Sequence, residues 1–156
     1  MTTVEERLAR LEDLEAIRAL DAEYCRTLDA YDWDGLADLF TDDGEFVGLA
    51  RAQGRDGIRE FFGGLAAGGL TAFWHHVGNH EIDLDGDRAE IRSKLWQPCV
   101  QDGVPHVAAG RYTDVAVRSG GRWLYRTKAV SFDYFAPLAQ GWDDGLFTLD
   151  AARSSR

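Results

Sequence analysis

The change from helix to sheet in this chain is marked by the run Phe73-Trp74-His75-His76-Val77-Gly78-Asn79-His80. It continues through Glu81-Ile82-Asp83-Leu84 into the turn Asp85-Gly86-Asp87. Alternating apolar and polar residues that end in Asp-Gly predict a strand that closes in a hairpin. Three of the chain's four histidines lie in the first eight residues of this run. A histidine that faces a pocket is a candidate proton carrier, because its charge changes near neutral pH.

The alternating pattern predicts four long strands, at about 72–84, 88–101, 104–118 and 122–135. The part of the chain before them has helical periodicity instead. A capping box at Thr3 and Glu6 opens a first helix that ends near Ala30, and Asp32 caps a short second helix. A short strand at 45–49 precedes a third helix, which Gly54 opens.

Helices followed by a meander of strands predict an α+β fold. We expect a cone-shaped arrangement of three N-terminal helices packed on a curved antiparallel sheet, with a pocket between them. A single domain is expected over residues 1–150, with a frayed tail at 151–156. Phe135, Leu138, Trp142, Leu146 and Phe147 are expected to cover the pocket mouth or a neighbouring subunit.

The composition excludes several classes of partner. The chain has 156 residues, 45% of them hydrophobic, and a formal net charge of −10, so neither nucleic acid nor a membrane surface is an expected partner. No apolar run approaches the roughly 20 residues of a membrane span, and the N-terminus lacks a signal-peptide core. Two cysteines do not make a disulfide framework, so a cytoplasmic, reduced protein is expected.

Strand parity selects one histidine as the candidate base. Counted back from Ile82 and Leu84, which we take to face the core, the inward face of a straight strand carries His76 and not His75. The alternative is that His76 is a hydrogen-bonded core histidine, and a β-bulge would reverse the assignment. No metal site is predicted, because His76 and His80 lie about 13 Å apart on a strand.

Asp29 is the candidate partner of that histidine. It lies in the last turn of the first helix, where a carboxylate opposes the helix dipole and needs an offsetting partner. A histidine that donates one ring N–H to Asp29 is held in one tautomer, and its other nitrogen becomes a better base. The alternative for Asp29 is a solvated surface acid or a cap for the next helix.

The order Leu28-Asp29 before Asp32-Trp33, followed by His-His-Val-Gly-Asn at the first long strand, resembles the SnoaL-like branch of the nuclear transport factor 2-like superfamily. The segment 28–34 is similar to the aspartate segment of the scytalone dehydratase family. The segment 133–139 is similar to one in the hexachlorocyclohexane dehydrochlorinase family. Both resemblances imply a catalytic dyad at Asp29 and His76.

The resemblance also implies secondary catalytic residues, although the match is incomplete. His106 corresponds to the second histidine of the dehydratase family, whereas Leu28 and Phe46 stand where that family has tyrosines. Tyr24 and Lys128 occupy the positions of the two cationic residues of the dehydrochlorinase family. The residues alone leave an alternative to each catalytic role. Tyr24 could pack in the core and His106 could lie at the surface. Lys128 could lie at a pocket edge or at the surface with its stem along apolar groups.

Together these features predict a cofactor-free lyase that carries out dehydratase-type elimination on a small apolar ring compound. Aromatic side chains are expected to form the pocket walls, and the candidates are Phe46, Phe73, Trp74, Trp96, Phe132 and Phe135. An isomerase or cyclase with the same dyad, or a non-catalytic binding or assembly module, are the alternatives. A homo-oligomer, dimer or trimer, is expected from the resemblance and from the second face of the sheet.

Overall fold

The computed structural model describes residues 3–140 of the chain. Three α-helices are present in this range: α1 at Val4–Asp29, α2 at Trp33–Ala37 and α3 at Gly54–Gly63. The predicted capping box is formed at the start of α1, where Thr3 and Glu6 cap each other. The predicted frayed tail at 151–156 and the predicted cover by Trp142, Leu146 and Phe147 lie outside the described residues.

Seven strands form one sheet. Their bounds are β1 Phe40–Val47, β2 Arg51–Gln53, β3 Leu70–Phe73, β4 His76–Asp85, β5 Arg88–Gln101, β6 Val104–Ser119 and β7 Arg122–Pro137. The strand order is β2-β1-β7-β6-β5-β3, and β4 also pairs with β5. A 3-10 turn at Leu138–Gln140 follows β7.

The α+β class and the curled sheet agree with the prediction, but the sheet is not wholly antiparallel. Strand β1 runs parallel to β7, with Phe46 opposite Lys128. The long α1 precedes it, and α3 connects β2 to β3, so the helices are not one uninterrupted N-terminal block. A parallel pair requires such a crossover, and a pattern of single-strand alternation does not reveal it.

The predicted strand at 72–84 is two strands, because its ladder to β5 is interrupted at Trp74 and His75. Trp74 donates its backbone N–H to the carbonyl of Pro98, which has no N–H to return. A second irregularity follows in β4, where one extra residue enters between Gly78 and Glu81. Asn79 takes a φ of 55° there, which identifies the extra residue as a β-bulge.

Helix α1 packs its second half on the concave face of the sheet. Ile17, Leu20, Tyr24 and Leu28 are buried, whereas Val4, Leu8 and Leu11 in the first turns of the helix are exposed. The first turns of α1 therefore extend beyond the core. Apolar burial of the second half supplies most of the attachment, since hydrophobic contact stabilises by about 25 cal/mol per Å².

A buried charge cluster also joins α1 to the sheet. The Lys128 Nζ lies 2.7 Å from Asp21 Oδ1 and 2.9 Å from Asp114 Oδ2, and it contacts the Tyr125 hydroxyl at 3.3 Å. His80 donates a ring N–H to the other oxygen of Asp21 at 2.6 Å. Lys128, Asp21 and Asp114 are almost completely buried. Each carboxylate thus has donors on it, as a buried charge requires.

The two carboxylates of the cluster differ in their proton affinity. Burial alone would raise the pKa of Asp21, but the charge of Lys128 and the bonds from His80, Lys128 and Tyr125 hold it well below its ordinary value. Burial raises the pKa of Asp114 to about 6, because Lys128 and the Ala129 N–H only partly offset the desolvation and the charge of Asp21. A proton taken up by the cluster therefore goes to Asp114.

We predict that Lys128→Met destabilises the fold by about 3–5 kcal/mol, because it leaves two buried carboxylates without their cation. The free energy of unfolding in urea measures this. Lys94, the other lysine, is exposed on β5, so Lys94→Met is the matched control and should change stability by less than about 0.5 kcal/mol. Equal effects of the two substitutions would contradict a structural role for the cluster.

We predict a distinctive pH dependence for Asp114→Asn. The folded pKa of Asp114 lies above its unfolded value, so the stabilisation it contributes is present below about pH 4 and is lost as the pH rises through about 6. The parent should therefore lose roughly 1–3 kcal/mol relative to the variant between pH 4 and 7. Urea unfolding of both proteins across this range measures the difference, and parallel profiles would refute the assignment.

Candidate active site

Asp29 and His75 form a hydrogen-bonded pair at the concave face of the sheet. The His75 Nδ1 lies 2.7 Å from Asp29 Oδ1. The backbone N–H of His75 donates to the same carboxylate, at 2.9 Å to Oδ2 and 3.1 Å to Oδ1. Since the carboxylate can only accept, we assign the ring proton to Nδ1, which leaves Nε2 of the neutral ring as a base.

The local backbone explains why Asp29 and His75 meet. The sum of paired residue numbers is constant from Phe73↔Cys99 to His76↔Trp96, so His75 lies opposite Gln97. In this antiparallel register the N–H of His75 points away from β5, toward the sheet edge. Asp29, the last residue of α1, accepts this otherwise unpaired N–H. The pairing also offsets the cost of a carboxylate at a helix C-terminus.

The prediction that His76 is the inward partner of Asp29 is wrong. His76 is exposed on the other face, and His75 is the residue that contacts Asp29. The bulge at Asn79 shifts the side-chain parity by one, so His75 and Val77 share the inward face with His80, Ile82 and Leu84. Gly78-Asn79 within a strand pattern is the sequence signal for such a bulge.

His75 lines a small inner cavity of about 50 Å³. Its walls are mainly apolar and come from α1, α3 and the concave face of the sheet. The lining residues are Tyr24, Leu28, Phe46, Leu49, Phe61, Phe62, Leu65, Leu70, Phe73, His75, Gln97, Tyr112, Val130 and Phe132. Within residues 3–140, the His75 Nε2 has no hydrogen-bond partner, so the base is available to a ligand in this cavity.

A larger outer cavity of about 1040 Å³ adjoins the inner one. The two cavities share Leu49, Phe61, Leu65 and Leu70, which form the boundary between them. The outer cavity is of the size that holds small-molecule ligands. A ring compound reaching His75 through it displaces the boundary side chains, because the inner cavity alone is too small for a ring.

Four of the six predicted wall residues line a cavity. Phe46, Phe73 and Phe132 line the inner one, and Phe135 lines the outer one. Trp74 and Trp96 line neither of these two cavities, with 53% and 43% of their surface exposed. Trp96 instead lines an open groove on the other face of the sheet, next to His76. Both tryptophans lie on the outward face with His76. The bulge accounts for the error at Trp74, whereas Trp96 lies at an outward position in the regular alternation of β5.

Tyr24, His106 and Lys128 occupy three different environments. Tyr24 lines the inner cavity. His106 lines the outer cavity, with its Nδ1 2.8 Å from the Val104 carbonyl and its ring 5.1 Å from the ring of Phe135. Lys128 lines neither, because its ammonium is enclosed in the buried cluster. Lys128 therefore takes neither of the two positions that the sequence left open, a pocket edge or the surface, and lies behind the cavity wall.

The tyrosines of the cavity wall separate Lys128 from the inner cavity. The Lys128 Nζ lies 4.1 Å from the centroid of the Tyr112 ring and 4.4 Å from that of Tyr24. Burial raises the pKa of Tyr24 well above its ordinary value, although the charge of Lys128 opposes this, and burial likewise raises that of Tyr112. Both hydroxyls therefore keep their protons and act as hydrogen-bond donors at neutral pH.

Residues 3–140 contain neither a candidate metal site nor a helix that could span a membrane. No group of three or more His, Cys, Asp or Glu side chains in this range is arranged to hold a metal ion. None of the helices described there is long and apolar enough to cross a membrane.

The fold and the Asp–His pair place this protein among the small α+β domains that surround an apolar cavity. The SnoaL-like domain family matches residues 9–128, so the chain belongs to that family. The resemblance inferred from the sequence is therefore confirmed. No curated protein matches the chain.

Solved structures share this fold. A protein of Novosphingobium aromaticivorans DSM 12444, provisionally named a scytalone dehydratase, is 23% identical with a TM-score of 0.75, over 82% of this chain and 89% of that one. Hexachlorocyclohexane dehydrochlorinase LinA-type3 from Novosphingobium barchaimii LL02 is 21% identical with a TM-score of 0.79, over 88% and 97%.

A nuclear transport factor 2-like protein with a cystatin-like fold, also from Novosphingobium aromaticivorans, is 27% identical. Its TM-score is 0.67 over 99% of this chain and 97% of that one. The fold therefore spans nearly the whole chain. At these identities the likeness to the dehydratase and the dehydrochlorinase establishes the fold, and the chemistry has to be argued from the site.

We predict that nitrogen-15 NMR at about pH 8 shows His75 as the Nδ1–H tautomer, because that proton is donated to Asp29. The hydrogen-bonded ring proton should appear at low field and disappear in Asp29→Ala. His76 is exposed on the opposite face, so its tautomer mixture should be the same in both proteins. A low-field proton on His76, or one on His75 that survives in Asp29→Ala, would contradict the pairing.

Proposed function

We propose that this protein is a lyase that removes a proton from a carbon atom of a small apolar ring compound and expels a β-leaving group. The observation that carries the proposal is the Asp29–His75 pair, in which Nδ1 is bonded to Asp29 and the imidazole lines an aromatic cavity. Proton removal needs a positioned base of suitable protonation state, and general base catalysis supplies about 10²–10⁴-fold. The dehydratase and dehydrochlorinase names of related folds support the same class of reaction.

In the proposed reaction the His75 Nε2 takes the proton from carbon. The electron pair of that C–H bond becomes the new C=C bond, and the leaving group departs with its own bonding pair. The imidazolium that results is hydrogen-bonded to Asp29, which stabilises the new charge where it forms. Asp29 thus positions the base and holds its product, and it takes no proton itself.

The leaving group departs next to His75, where groups of the cavity wall can assist it. Chloride leaves as the anion, whereas hydroxide needs a proton to leave as water. The imidazolium of His75 can return its proton for this purpose, and the Tyr24 hydroxyl at the cavity wall is the donor that holds the departing oxygen. Lys128 lines neither cavity and His106 lines only the outer one, so neither is assigned the proton transfer.

A binding module of the same fold would need the cavity but not this pair. A charged carboxylate under a ligand-facing imidazole gives an apolar ligand no added affinity, and it costs desolvation. The pair has a clear use if a proton is transferred. The pair therefore favours an enzyme over a carrier. Isomerisation by the same base is the alternative reaction.

Assembly into a homo-oligomer and a cytoplasmic location remain predictions. The apolar face of Val4, Leu8 and Leu11 on α1 and the exposed Trp74 and Trp96 are surfaces that a second copy of the chain would cover. Sedimentation of the purified chain measures the oligomeric state directly.

We predict that His75→Gln lowers kcat for elimination by about 10²–10⁴-fold, because it removes the base. Asp29→Asn should also lower kcat, by at least about 10-fold, because the tautomer is no longer fixed. Suitable probes are 3-hydroxycyclohexanone, followed by enone absorbance, and hexachlorocyclohexane, followed by chloride release.

The matched control for these variants is His76→Gln, which changes the neighbouring histidine on the exposed face. It should keep kcat within about threefold of the parent, since a surface substitution away from the cavity has little effect. An equal loss in His76→Gln, or full activity in His75→Gln, would overturn the proposed base. Near-UV circular dichroism of all three variants shows whether the fold is retained.

A further inference from the structure

Gln97 is a buried polar residue of the inner cavity that the sequence did not single out. It lies on β5, only 6% of its surface is exposed, and it lines the cavity together with His75. Within the described residues its amide makes no hydrogen bond. An amide in an apolar wall finds hydrogen-bond partners only in what enters the cavity, so its presence there calls for a use.

The amide of Gln97 is open to the cavity and not sealed in the core. In the described part of the chain, the one completely buried side-chain polar atom without a partner is the hydroxyl of Ser93, also on β5. The Gln97 amide is absent from that class because its polar atoms remain accessible from the cavity. A ligand in the cavity can therefore pair with it.

The sheet register places Gln97 beside the base. His76 pairs with Trp96 and Phe73 with Cys99, so Gln97 lies directly across from His75 on the same concave face. Residues opposite each other in an antiparallel pair have Cβ atoms about 4.5–5.5 Å apart. An amide N–H and a base nitrogen thus enter the cavity side by side, at a separation that suits two neighbouring atoms of one ligand.

We propose that Gln97 binds the carbonyl oxygen of the substrate, so the substrates of this site are cyclic ketones with a leaving group β to the carbonyl. This inference rests on the proposed function, in which the His75 Nε2 is the base. The amide N–H holds the oxygen while the imidazole faces the adjacent carbon. A hydrocarbon or a polyhalogenated ring would leave the amide unpaired and is a poorer fit.

The elimination of the β-leaving group needs no oxidant, reductant or second substrate. The proton of the α-carbon passes to the His75 Nε2, the C–H pair forms a C=C bond, and the carbonyl π pair moves onto oxygen. The resulting enolate oxygen accepts the Gln97 N–H, which is stronger to an anion than to the ketone, so the contact favours the transition state. When the oxygen pair re-forms C=O, the C=C pair of the enolate moves between the α- and β-carbons. The bond to the leaving group breaks with its pair on that group, which gives an enone.

The first test measures binding without chemistry. Cyclohexanone and methylenecyclohexane have the same shape and differ only in the oxygen that Gln97 would hold. We expect the parent to prefer the ketone in ligand-observed NMR titrations, and Gln97→Leu to lose roughly 10-fold of this preference. Gln53→Leu, at an exposed residue without a side-chain cap bond, is the control and should keep it. No preference in the parent, or an unchanged preference in Gln97→Leu, would overturn the proposal.

The second test follows the base. Exchange of the α-protons of cyclohexanone in D₂O is measured for the parent, Gln97→Leu and His75→Gln. We expect the parent to be fastest, with Gln97→Leu at least about 10-fold slower and His75→Gln near background. Equal rates for the parent and His75→Gln would refute the proposed function, and the role of Gln97 with it. A parent rate that depends on His75 but not on Gln97 would refute the role of Gln97 alone.

Discussion

The one-residue bulge at Asn79 is the constraint on which the inner surface of this protein depends. Because β4 carries one residue more than β5 between Gly78 and Glu81, both His75 and His80 face the helix. Without the extra residue, a straight strand would point one of them to solvent. The left-handed φ of Asn79 is tolerated because its short polar side chain accommodates that conformation.

Both inward histidines meet carboxylates of the same helix. Asp21 and Asp29 lie on α1, and they pair with His80 and His75 respectively. The first pair belongs to a fully buried cluster around Lys128, and the second lies at the edge of a cavity. Similar contacts therefore serve different ends, because the deeper pair has a buried cation to neutralise it and the outer pair has a base nitrogen left for a ligand.

Much of the architecture could be predicted from periodicity, because it depends on local patterns. The capping box, the length of α1 and the bounds of β5 follow directly from helical and alternating spacing. The pairing of β1 parallel to β7 could not be predicted, because it is a contact between distant segments. The sequence left a pocket edge or the surface open for Lys128, because its burial depends on two carboxylates from distant segments, Asp21 on α1 and Asp114 on β6.

The site shows the same limit more sharply. Asp29 was identified from its place at the helix end, but parity counted across Gly78-Asn79 selected His76 when His75 is the partner. The same miscount explains why Trp74 was expected at the pocket. Gln97 gave no signal, since a glutamine in an alternating strand attracts no attention until its neighbours are known. A single inserted residue therefore left the predicted fold unchanged but led to the wrong histidine at the site.

The burial of Lys128 has a practical consequence for chemical modification. The chain has two lysines, and the ammonium of Lys128 is enclosed by two carboxylates and three tyrosine rings. Lys94 lies exposed on the outer face of β5. An amine-reactive dye or cross-linker is therefore directed to Lys94 among the side chains of the folded protein, and labelling of Lys128 reports unfolding.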